Sequence, residues 1–123
     1  MKVVTFGIKD EGAVMKDFQR AFEAAHGRKP FKPDSGVYFT SLEAVRNFLT
    51  PKRLELLRLI RAKKPHSLYE LAKHAHRSFS SVLKDVELLA KHGLVRLAKE
   101  KDSVRHAVHP HVGYTAINLW INV

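Results

Sequence analysis

The chain has 123 residues, 45% hydrophobic and 28% charged, a length and balance that suit a compact, ordered domain with a short extension rather than a disordered polymer. It has no cysteine, which excludes disulfides, thiolate nucleophiles and cysteine-based zinc sites and makes an intracellular, cytoplasmic setting the expectation. The formal net charge of +10 is unevenly spread: residues 1–50 carry 8 Lys/Arg against 6 Asp/Glu, residues 51–123 carry 14 against 6. The second part should therefore attract polyanions, of which DNA is the commonest intracellular one.

The opening "KVVTFGI", Lys2 to Ile8, is β-branched and aromatic and reads as a strand. It is followed by helical spacing, with Val14, Phe18, Ala21, Phe22 and Ala25 on one face and Gly27 as a stop. Acids appear by residue 10 and no apolar run approaches a membrane span, so neither a signal peptide nor a membrane segment is expected. Two prolines and a glycine make residues 28–36 a loop; "VYFT" gives a short strand, and Ser41 caps a short helix, "LEAVRNFL".

Residues 51–123 are expected to form a second domain. Thr50 caps a helix whose first residue is Pro51, with Leu54, Leu57 and Ile60 inward, flanked by Leu56 and Leu59. Ser67, with Glu70 three positions on, forms a capping box for a two-turn helix that buries Leu68, Leu71 and Ala72. Ser78 caps a third helix, 78–92, with Phe79, Val82, Val86 and Leu89 on its core face and Gly93 as its left-handed terminator. "LVRLAKE" and "VRHAVHPHV" then form a hairpin, and "YTAINLWINV" alternates, with Thr115, Ile117, Leu119, Ile121 and Val123 directed to a core.

Three helices with a tight polar turn, "HAHRS", between the second and third, followed by a hairpin, is the element order of a winged helix-turn-helix. The fold class expected is thus α/β, in the α+β sense, with a short β/α extension over residues 1–50 and a terminal strand. In such a unit the third helix enters the major groove of double-stranded DNA with its N-terminal residues at base edges. Ser78, Ser80, Ser81 and Lys84 are the candidates there, since Ser80, Ser81 and Lys84 fall off the core face, as does Glu87, which DNA would repel unless it met a cytosine amine. Arg77, Lys73, Lys52 and Arg53 are candidates for phosphates, which position the protein without reading sequence. The wing, 96–105, adds Arg96, Lys99, Lys101 and Arg105, suited to the minor groove or its flanking phosphates.

Residues 36–123, above all "LTPKRLELL" and "HGLVRL" at their present separation, resemble a prokaryotic family of small MarR-like predicted transcriptional regulators. The resemblance implies DNA binding and transcriptional control, and, because some members are antitoxin-like, the alternative of an antitoxin that holds a small toxin through residues 1–50. Leu83 and Leu88 depart from the polar pattern of the third helix: either they pack on the wing or on a neighbouring chain, or the helix is not fully laid in the groove. Homodimerisation is the leading use for residues 1–50, with half-sites about one DNA turn apart, the alternative being a lid that completes the chain's own core; "KVVTFGI" and "YTAINLWI" are expected to pair with each other or across a dimer. No cofactor or catalytic residue is expected. A metal site would have to draw on His106, His109 and His111, which lack an accompanying carboxylate pattern. His74 and His76 diverge on their helix, and the signatures of common RNA modules are missing.

Overall fold

The computed structural model describes residues 2–8, 36–99 and 108–121. The chain is mixed α/β and divides into two compact units, Met1–Phe48 with Tyr114–Val123, and Leu49–Gly113. The helix expected before Gly27, the loop up to residue 35 and the hairpin tip with Lys101 and Arg105 lie outside the described residues.

In the first unit three parallel strands form a sheet of order β2-β1-β5: β1 (Val3–Ile8) in the centre, β2 (Gly36–Phe39) on one side and β5 (Ala116–Trp120) on the other. Thr115 extends the β5 side, donating both its amide and its hydroxyl to the Lys2 carbonyl, at 2.9 and 3.2 Å. Helix α1 (Leu42–Phe48) begins where Ser41 Oγ accepts from the Ala44 amide at 3.1 Å, the expected cap, and buries Val45 and Phe48. Phe6, Phe39 and Phe48 meet with ring centroids 5.2–6.2 Å apart and tilted planes, an arrangement favoured by the ring quadrupoles.

The terminal strand thereby corrects two expectations. It belongs to the first unit and not to the expected second domain, and of the two pairings open to it the one within the chain is present, with β1 in the register Val3↔Ala116 to Gly7↔Trp120. Its expected core face is also largely open: Leu119 and Ile121 are 46% and 47% exposed. Alternation identifies the two faces of a strand but not what covers either, and β5 is an edge strand of its sheet.

In the second unit, α2 (Pro51–Lys63) starts as expected: Thr50 Oγ1 accepts from the Arg53 amide at 3.2 Å and Pro51 occupies the first turn, where a missing N–H costs nothing. Leu56, Leu57 and Ile60 are buried while Leu54 is only partly so, a rotation of the expected face by part of a turn. The helix is covered by α3 (Leu68–Ala75), by α4 (Phe79–Lys91) and by β4 (Val108–His111), so its apolar stripe is wider than a single spacing suggests. The capping box at α3 forms with a shift: the Glu70 amide donates to Ser67 Oγ, but Glu70 Oε2 accepts from the amide of His66, one residue before the cap.

Val82, Val86 and Leu89 of α4 are fully buried, with Leu68, Leu71 and Ala72 of α3 facing the same core. Leu94 donates to the Leu89 carbonyl at 2.9 Å and Gly93 to that of Ala90 at 3.0 Å, and Gly93 holds φ +78. These two bonds satisfy carbonyls that the helix end would otherwise leave open, and Leu94, itself buried, locks the stop into the core. The same pair of bonds ends α3, from Arg77 to Ala72 and from His76 to Lys73, with His76 at φ 55 in the glycine position. β3 (Arg96–Lys99) pairs antiparallel with β4, from Arg96↔His111 to Lys99↔Val108.

These helix ends have measurable consequences. A Cβ added at Gly93 meets no atom within 4 Å, so Gly93→Ala should cost only the backbone penalty of the left-handed region, about 1 kcal/mol. His76→Gly, relieving the same penalty, should gain a comparable amount, about 1 kcal/mol, less whatever entropy the freer unfolded chain recovers. Urea unfolding of both variants should move the midpoint in opposite directions, and a shift of the same sign would contradict the assignment.

Candidate nucleic-acid interface

The start of α4 carries a cluster of hydroxyls. Ser78 is extended, at φ −63 and ψ 148, and its Oγ accepts from the Ser81 amide at 3.3 Å. The same oxygen donates to Ser81 Oγ at 2.8 Å and lies 3.4 Å from Ser80 Oγ. Ser81, having accepted from Ser78, retains its own proton for an outside acceptor. All three serines are exposed, as are Lys84 and Glu87, on the side of the helix away from Val82, Val86 and Leu89. One helix start thus gathers hydroxyl donors, a lysine and the positive end of the backbone dipole.

The two arginines expected at phosphates are engaged within the protein. Arg53 Nε donates to Asp85 Oδ1 at 3.0 Å and Arg77 Nη2 to Asp85 Oδ2 at 2.7 Å. The carboxylate is 14% exposed and each arginine side chain 20%. Asp85 stands in the middle of α4, Arg53 in the first turn of α2, and Arg77 in the turn before α4, so one carboxylate ties three segments together. Burial alone pushes the Asp85 carboxyl up, but the hydrogen bonds and charges of Arg77 and Arg53 outweigh it and hold the carboxyl below its ordinary range. Arg77 Nη1 is buried without a hydrogen-bond partner among the described residues, so that guanidinium is anchored from one side only.

Among the other cations singled out in the sequence, Lys52, Lys73, Arg96 and Lys99 are exposed, the last two on a strand exposed along its whole length. Lys101 and Arg105 lie outside the described residues. Leu83 and Leu88 are partly buried rather than open.

Phe79, expected in the core, is only partly buried and stacks on Tyr69, with centroids 4.1 Å apart and planes 9° from parallel. Tyr69 itself is 65% exposed, so the pair forms an aromatic shelf beside Lys73, His76 and Arg77. Sequence reasoning missed both this shelf and Asp85. The available signal was an aromatic at the first turn of each of two consecutive helices, and an acid in the third helix within the basic part of the chain. His109 is used by the backbone: its Nδ1 donates to the Pro65 carbonyl at 2.9 Å. Among the described residues no three His, Cys, Asp or Glu side chains come together as a metal site would need. Among them, too, no helix is long and apolar enough to cross a membrane.

Asp85→Asn should leave two cations with a neutral partner and destabilise the unit by roughly 2 kcal/mol, read as a lower urea midpoint. Because the folded carboxyl titrates below the unfolded one, its contribution is complete above about pH 4 and is lost as pH falls through the lower folded value. The acid limb of a stability–pH curve should therefore be less steep in Asp85→Asn than in the parent. Superimposable acid limbs would contradict the pairing.

No curated protein matches the sequence. A family model, HVO_A0114, matches residues 48–119, which takes in α2 to β4 and most of β5. The match spans more than half of the sequence, and the chain belongs to the HVO_A0114 family.

Proposed function

We propose that this protein is a sequence-specific regulator of transcription that binds double-stranded DNA as a winged helix-turn-helix, with α4 in the major groove. The observation that carries the reading is the exposed polar start of α4, where Ser80, Ser81 and Lys84 are held clear of the core by the Asp85 anchor. A helix of that width enters the major groove, where serine hydroxyls meet base donors or acceptors and a lysine meets guanine or a phosphate. Lys52 and Lys73, both exposed, are available for backbone contacts, and Arg96 and Lys99 supply the charge of the wing. Arg53 and Arg77 take a different role from the one their charge suggests: they orient the helix, and the two guanidiniums with one carboxylate still leave a net positive cluster beneath it. A resemblance to MarR-like regulators in "LTPKRLELL" and "HGLVRL" agrees with this reading.

Homodimerisation would set two such helices on successive half-sites. A second reading, an antitoxin that grips a small toxin and regulates its own operon, draws on the first unit, where Val3, Leu119 and Ile121 expose apolar surface on or just beyond strands of one sheet. Both readings need a protein partner, a second copy in one case and a toxin in the other.

Binding of the purified chain to its own upstream DNA, against a scrambled duplex and across 50 to 200 mM salt, tests the proposal by fluorescence anisotropy. The upstream duplex should be preferred, with affinity falling by about 10³-fold over that range if several phosphates are contacted. Lys84→Ala should weaken binding by about 1–3 kcal/mol if it reads guanine, or flatten the salt slope by about 1 if it meets a phosphate. Equal, weak binding of both duplexes would overturn the proposal.

A further inference from the structure

Two aromatic rings stand at the start of the helix proposed to enter DNA, and hydroxyl and phosphate contacts give neither a role. Phe79 is the first residue of α4, directly before Ser80 and Ser81, and Tyr69 is the second residue of α3. The rings lie flat on each other, 4.1 Å between centroids and 9° from parallel. Packing between two helix starts accounts for Phe79, which is half-buried. It does not account for Tyr69, which is 65% exposed although one face of its ring is covered.

A single exposed tyrosine is ordinary on a protein surface. This one differs in two respects. The stack on Phe79 restricts how the ring can turn, so less freedom is lost when something packs on its outer face. Lys73, four residues on and therefore on the same side of α3, is exposed and lines the same open depression, a cation placed for a phosphate next to the ring.

Base edges in the major groove are mostly hydrogen-bond donors and acceptors, and the apolar group they offer a ring is the C5-methyl of thymine. We propose that Tyr69, held flat by Phe79, is a specificity-determining residue that packs on a thymine C5-methyl beside the bases met by Ser80 and Ser81. Serine hydroxyls suit several bases, and an apolar contact supplies discrimination that they lack, since cytosine carries only hydrogen at that carbon. The contact rests on the DNA-binding reading, with α4 in the major groove, and adds to it a preference for thymine at the N-terminal end of the helix.

The test is fluorescence anisotropy of the full chain with its upstream duplex and with the same duplex made with uracil in place of every thymine. Uracil pairs as thymine does and lacks only the methyl. The parent should bind the uracil duplex about fourfold more weakly for each methyl contacted, the transfer value of one buried carbon. Tyr69→Ser should bind the thymine duplex more weakly and no longer distinguish the two, whereas Tyr69→Phe, which keeps the ring, should distinguish them as the parent does. Because Tyr69 is exposed, both variants should melt with the parent. Preference of the parent for the upstream over a scrambled duplex reports separately on DNA recognition. If that preference holds while uracil costs nothing, or costs as much in Tyr69→Ser, the methyl contact is overturned and the DNA-binding reading stands; if the preference is missing, both fall. Lost discrimination in Tyr69→Phe would assign the effect to the hydroxyl, and tighter binding of the unpaired upstream strand would assign the ring to base stacking, and either result overturns the proposal.

Discussion

The carboxylate of Asp85, held between Arg53 and Arg77, is the constraint on which the second unit depends. Apolar packing of Val82, Val86 and Leu89 keeps α4 against its neighbours, but burial is non-directional and tolerates rotation and sliding. Two charge-assisted hydrogen bonds at 3.0 and 2.7 Å are directional, and they reach α4 from two separate segments. Partial burial makes them stronger than a surface pair, while the remaining exposure keeps the desolvation cost of three charged groups moderate. The result is a helix whose rotation about its own axis is set, with its hydroxyl side outward.

That orientation gives the proposed interface its economy. The arginines are engaged in geometry, so the proposed contacts with DNA would fall to smaller or more flexible groups, serine hydroxyls and lysines. Hydroxyls both donate and accept and therefore adapt to several bases, which suits readout refined by shape and phosphate contacts as much as by direct pairing. The first unit has a different chemistry, a parallel sheet with an aromatic core and open apolar residues toward its C-terminal edge. Surface of that kind suits association with a protein.

Much of the local structure was legible in the sequence because its causes are local. Thr50, Ser67 and Ser78 cap their helices through bonds to an amide three residues on, and Gly93 terminates α4 with the expected left-handed conformation. The exposed side of α4 followed from spacing in the same way, since a helix of known period leaves little freedom once one face is apolar. What escaped depends on residues far apart in the chain. Asp85 meets Arg53 across 32 positions. Charge type suggests that Arg53 and Arg77 face a polyanion, and only the tertiary arrangement brings an internal carboxylate within reach. The exposure of Leu119 has the same origin, because alternation separates two faces without saying which one the chain covers.

The central claim, that the start of α4 is the surface presented to DNA, is tested most directly by amide hydrogen exchange on the full chain, free and saturated with its upstream duplex. The account predicts added protection at the start of α4, residues 78–84, with a smaller gain around Lys52 and Lys73 and on β3. Protection confined to the first unit, or an exchange pattern at residues 78–84 that DNA leaves unchanged, would contradict it.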